Sequence, residues 1–127
     1  MRNIFLETVS FPKGALYKLH RIIFDAVISC IKTFRYPFFE RVLMYKKISE
    51  TEFEPALAEK LFLPNYFVDI SDFLNLKLEI MKIYTSELGE HPLPRSLRNI
   101  ETLAVFRGVT MAIYSAEAFK LLKSINK

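Results

Sequence analysis

The chain has 127 residues, 51% of them apolar and 25% charged, which suits one folded domain and excludes a disordered polypeptide. Its formal net charge of +4 is uneven, because residues 1–47 hold nine Lys or Arg against three Asp or Glu while the rest hold nine against eleven. The basic residues are scattered, which disfavours a nucleic-acid partner, and no apolar run reaches the ~20 residues of a membrane helix.

Ile4 to Val9 reads as a short strand, entered almost at once. The opening residues are too acidic and their apolar part too short for a secretory signal. A domain that opens directly on a strand is expected to lack an upstream part. Ser10 to Gly14 holds Pro12 and Gly14 and reads as a loop. From Leu19 the spacing changes: Leu19, Ile22, Ile23, Ala26, Val27, Cys30 and Ile31 recur at three and four, the mark of a helix with one buried stripe. Phe24 and Ile28 widen the stripe, so cover on more than one side is expected. Pro37 ends this segment, and Arg41 to Tyr45 is a second strand. Lys46 to Glu54 is polar, and Pro55 to Lys60 reads as a helical turn.

Phe62 to Tyr66 is extended around Pro64, and Tyr66 to Ile70 is a third strand. Ser71 or Asp72 is expected to cap the next helix, which runs through Phe73, Leu76, Ile80, Ile83 and Tyr84 to Glu87-Leu88. Gly89 is expected to close it in the left-handed conformation. His91 to Pro94 is a stiff loop. Ser96 then caps a long helix carrying Ile100, Leu103, Ala104, Arg107 and Gly108. Ser115 to Leu122 fits either a continuing helix or an edge strand. Strands alternating with helices predict an α/β layer architecture in a single domain over 1–127.

Few residues offer chemistry. Cys30 is the single cysteine, so no internal disulfide forms, and a reducing, cytoplasmic setting is expected. It falls on the apolar stripe of its helix and is expected to be buried and inert. His20 follows the Ser10–Gly14 loop, where it can bind a metal or shuttle a proton, or simply cap or pack. His91 lies in the proline-rich loop, with a solvated histidine as the plainer reading. Arg95 and Ser96 suit either an anion contact at a helix N-terminus or ordinary capping. Among the acidic residues Glu52, Asp69, Glu79, Glu87, Glu101 and Glu117, none forms the short pair of a metalloprotease or glycosidase. Glu117, set among apolar neighbours, is expected to form a structural ion pair with Arg107.

Several of these stretches share an order and spacing with a known family. They are Tyr45 with Ser49, Thr51, Glu52 and Phe53; Phe62 to Asp69; Lys77-Leu78-Glu79-Ile80 with Tyr84-Thr85-Ser86-Glu87; Pro94-Arg95-Ser96 through Arg107-Gly108; and Ala116-Glu117-Ala118-Phe119. In this order the chain resembles the C-terminal half of the PIG-L (LmbE-like) family, the zinc-dependent N-acetylglucosaminyl deacetylases of the bacillithiol and mycothiol type. The resemblance implies the C-terminal part of a Rossmann-like fold, a small sheet flanked by about three helices. It places Gly14 to Arg21 on the family's second site motif, with His20 at the third zinc-ligand position and Ala15, Tyr17 and Leu19 where polar residues stand in relatives. It implies substrate contacts at Arg95 and His91. The family's His-Pro-Asp-Asp-Glu strand, source of two zinc ligands and the general base, has no counterpart in the sequence.

The resemblance thus implies an incomplete domain without the N-terminal metal-binding strand, with no catalytic residue of its own. One imidazole does not hold zinc in a catalytic site, which generally takes three protein ligands. Three expectations follow: a truncated or degenerate deacetylase inactive alone; a subunit completed by a separate N-terminal chain or by homo-oligomerisation; or a non-enzymatic binding module.

Overall fold

The structure is a computed structural model that describes residues 8–12, 18–30, 39–45 and 62–126. It is an α/β fold with a small open sheet and, among the described residues, three helices. The elements are β1 (Thr8–Pro12), α1 (Lys18–Cys30), β2 (Arg41–Tyr45), β3 (Tyr66–Asp69), α2 (Leu74–Ile83), α3 (Leu97–Thr110) and β4 (Ala116–Ser124). The strand order is β1-β2-β4-β3. The chain divides into two compact units, one holding β1, α1, β2 and the later part of β4, the other holding α2, α3 and most of β3.

In the first unit β1 and β2 pair in parallel, from Thr8 opposite Arg41 to Pro12 opposite Tyr45. Parallel neighbours need a crossover, and α1 supplies helix to it while lying against β1. β2 pairs on its other side with β4, antiparallel, from Arg41 opposite Ser124 to Tyr45 opposite Phe119, with an irregularity between Val42 and Leu43. Flanked on both sides, β2 carries the buried Val42 and Leu43, which gives the first unit its described core. Asn65 fastens this region. Its amide donates to the Phe119 carbonyl (2.9 Å), and its Oδ1 accepts from the Leu121 amide (2.7 Å). Arg41 Nη1 donates to Tyr66 Oη at 2.9 Å.

Three expectations change here. The first strand runs on through Ser10, Phe11 and Pro12, which read as loop, because pairing with β2 continues to Tyr45. Proline is tolerated there because β1 stands at the edge of the strand order. The stripe of α1 is not covered on more than one side: Ile22, Ala26 and Ile28 are exposed. Cys30, the last residue of the helix, is exposed as well. The expectations for residues 4–7, 46–54 and 55–60 concern segments outside the described residues.

In the second unit α2 and α3 pack on each other. Ser96 Oγ accepts the Asn99 amide at 3.1 Å, the N-cap expected at the start of α3. Ser96, Ile100, Ala104 and Gly108 recur every four residues and are all buried. At Gly108 the reason for glycine is steric: an added Cβ would meet Ser115 Cα at 2.6 Å and the Ile113 carbonyl oxygen at 2.7 Å. The chain leaves α3 through Ala112, whose φ of 58° is left-handed, and returns as β4 with Ser115 and Ala116 buried. The open question at Ser115–Leu122 resolves to a strand, Ala116–Ser124.

α2 departs from its expected limits at both ends. Its N-cap is Phe73, with no side-chain cap bond, and not Ser71 or Asp72. Asp69 has already taken Ser71: Oδ1 accepts from the Ser71 amide (2.9 Å) and hydroxyl (2.5 Å). Those two bonds, the hydroxyl first, hold the Asp69 carboxyl below its ordinary pKa. The helix stops at Ile83, capped by Tyr84, before Glu87-Leu88 is reached. Gly89 does not adopt a left-handed conformation, since its amide turns instead to the Arg95 carbonyl at 3.0 Å.

Candidate functional site

The residues on which the sequence places substrate contacts lie in the loop between α2 and α3. This loop closes on itself through the Gly89–Arg95 backbone bond and through Leu93 amide to Glu90 carbonyl (2.8 Å) and Ser96 amide to Leu93 carbonyl (3.2 Å). His91 is exposed, and the His91-Pro92 peptide is cis. Asn99 Nδ2 donates to the Pro94 carbonyl at 2.7 Å, tying the end of the loop to the first turn of α3. Arg95 and His91 therefore share one self-braced loop that runs into a helix N-terminus.

Arg95 is not free for a ligand. Its guanidinium is ion-paired with Glu87 across the loop. An anionic group arriving at Arg95 must compete with that carboxylate. Ser96 is spent on capping, with its hydroxyl on the Asn99 amide and almost no exposed surface. Of the two readings of the Arg95-Ser96 pair, capping describes Ser96.

The Glu117 ion pair exists, but with a different partner. Lys77 of α2, not Arg107, holds the carboxylate. Both side chains are about one third exposed, so the pair is half-screened by solvent. Arg107 instead lies over the Phe106 ring, 5.9 Å from its centroid. Lys77 stands 40 residues from Glu117, so no local spacing announces it. Glu87 was visible as one of several acidic residues, but its pairing with Arg95 depends on the loop closing.

His20 lies in the first turn of α1, in the other unit, and its side chain is outside the described residues. The described residues do not fit a catalytic zinc. No group of three His, Cys, Asp or Glu side chains is placed to hold a metal among them. Glu87, at the start of the loop, and Glu117, on β4, are each committed to a cation. No helix among the described residues is long and apolar enough to cross a membrane.

No family model matches the chain, and no curated protein matches it. A solved structure does. The chain is similar in fold to N,N'-diacetylchitobiose deacetylase from Pyrococcus horikoshii, determined with its inhibitor MPG, at a TM-score of 0.55 and 18% identity. The match covers 92% of this chain and 46% of the deacetylase chain. The chain thus has, over part of a PIG-L/LmbE-type deacetylase, a distant likeness of fold. It spans about half the length of the structure it matches.

Proposed function

We propose that this chain is a truncated or degenerate N-deacetylase of the PIG-L type, inactive on its own. The observation that carries the reading is the conjunction of a deacetylase-like fold over nearly the whole chain with a donor set that does not make a metal site among the described residues. In intact relatives zinc activates the water that attacks an N-acetyl group. Here His20 is the one residue at a ligand position, and Arg95 and His91 are the substrate contacts. Arg95 meets an N-acetylglucosaminyl conjugate only after release from Glu87, which disfavours tight binding.

A second reading has a specific observation in its favour. The match takes in less than half of the deacetylase chain, so a separate chain carrying the other part is a natural complement. In that reading the protein is one subunit of a split deacetylase, and the reducing cytoplasm is its setting.

One experiment separates the two. The chain is purified alone and after co-expression with an N-terminal segment that carries His-Pro-Asp-Asp-Glu. Zinc content and acetate release from an N-acetylglucosaminyl substrate are measured for each. The first reading expects no acetate from either preparation. Acetate from the pair, with close to one zinc per complex, establishes the second. Acetate from the isolated chain overturns both.

A further inference from the structure

The loop between α2 and α3 carries two carboxylates, Glu87 and Glu90, against one guanidinium, Arg95. Glu87 is ion-paired with Arg95, and Glu90 and His91 are exposed. The loop has a frame of its own besides that pair. The Glu87 amide donates to the Tyr84 carbonyl (2.9 Å), the Gly89 amide to the Arg95 carbonyl (3.0 Å) and the Leu93 amide to the Glu90 carbonyl (2.8 Å). Asn99 Nδ2 adds its bond to the Pro94 carbonyl (2.7 Å). A partly exposed ion pair contributes little to such a frame. The Glu87 side chain is 53% exposed and that of Arg95 29%, so a ligand that reaches the guanidinium meets the carboxylate as well.

Ligands differ in what they do to this pair. A phosphate or carboxylate group only accepts hydrogen bonds. It satisfies Arg95 by displacing Glu87, and then leaves the Glu87 carboxylate without its cation and beside a second negative charge. Glu90, three residues on in the same loop, adds to the repulsion. A sugar hydroxyl both donates and accepts. It can enter between the two side chains, donating to Glu87 and accepting from Arg95, so that two charge-assisted hydrogen bonds replace the ion pair and neither charge is stranded. The charges of the loop thus favour a neutral polyol over an anion.

We propose that Glu87 is a specificity-determining residue: on the footing that Arg95 and His91 are the substrate contacts, it admits neutral N-acetylglucosaminyl conjugates and turns away those that bear a phosphate or carboxylate beside Arg95.

The test uses two probes, the neutral methyl glycoside of N-acetylglucosamine and N-acetylglucosamine-1-phosphate. Each is titrated into the full isotope-labelled chain while the amide signals of residues 87–99 are followed. Wild type is expected to bind the glycoside about fivefold or more tighter than the phosphate at low salt. Glu87→Gln keeps the side chain's size and removes its charge. It is expected to tighten phosphate binding about fivefold and to weaken the glycoside, so that the preference disappears or inverts. Adding Arg95→Gln to Glu87→Gln is expected to abolish the gain for phosphate, which a mere loss of negative charge would keep. A wild type that prefers the phosphate, a Glu87→Gln protein with the wild-type ratio, or a phosphate gain that survives without Arg95 overturns the proposal. Neither probe shifting these signals in any of the proteins overturns the substrate contacts themselves, and the proposal with them. Binding whose ratio is indifferent to Glu87 overturns the specificity alone. The wild-type preference is read without any substitution, so the proposal can fail whether or not the variants fold.

Discussion

α2 and α3 are neighbours in the same unit and are built on opposite plans. α2 has the better apolar stripe, yet buries none of its residues and starts without a side-chain cap. α3 has charges and polar groups on most of its circumference, yet buries Ile100, Ala104 and Gly108 and starts on a buried serine cap. Gly108 lets the backbone of α3 come within contact of the Ile113–Ser115 turn. What decides burial here is how closely a backbone can approach, more than how apolar a face is.

The contrast can be broken by substitution. Ile100→Ala removes the one large side chain that α3 buries and should cost about 3 kcal/mol in urea unfolding. Gly108→Ala should cost about 2 kcal/mol despite alanine's better helix propensity, because the atoms its Cβ meets are backbone and cannot swing aside. Ser96→Ala should cost about 1 kcal/mol, the worth of the cap on the Asn99 amide. Ile83→Ser, at a residue 75% exposed, should change unfolding by less than about 0.5 kcal/mol when measured at low protein concentration. An Ile83→Ser cost equal to that of Ile100→Ala would show that α2 is buried after all and erase the distinction.

The same contrast explains what the sequence made legible. Elements fixed by local chemistry were readable: Arg41–Tyr45 as strand and Ser96 as the cap of a long helix. Elements fixed by competition between nearby groups were not. Ser71 is a good cap by type, but the Asp69 carboxylate sits two residues away and takes its amide and hydroxyl. Gly89 is a good helix stop by type, but Tyr84 ends α2 earlier and the Gly89 amide closes the loop onto Arg95. Partners distant in sequence were invisible. Nothing near Glu117 names Lys77, and nothing near Arg95 fixes Glu87 as the carboxylate that occupies it. Periodicity marked the stripes of α1 and α2, but the cover it implied for α1 did not follow, since Ile22, Ala26 and Ile28 are exposed. Of the candidate site, the loop bearing His91 and Arg95 was legible as a stiff, helix-leading segment, whereas the competition for Arg95 was not.

Two positions four residues apart at the end of α3 have opposite mutational spectra. At 108 the neighbouring backbone leaves room for a hydrogen atom and nothing else, so glycine is the single residue that fits without a shift. At 112 the constraint is conformational, since an alanine is held at a φ of 58° that costs L-residues with a Cβ about 1–2 kcal/mol. Asparagine, aspartate and glycine are the residues that visit this region readily. Saturation libraries over this turn should therefore show a closed position beside an open one: every replacement of Gly108 selected against, and Ala112 drifting towards residues better suited than its own.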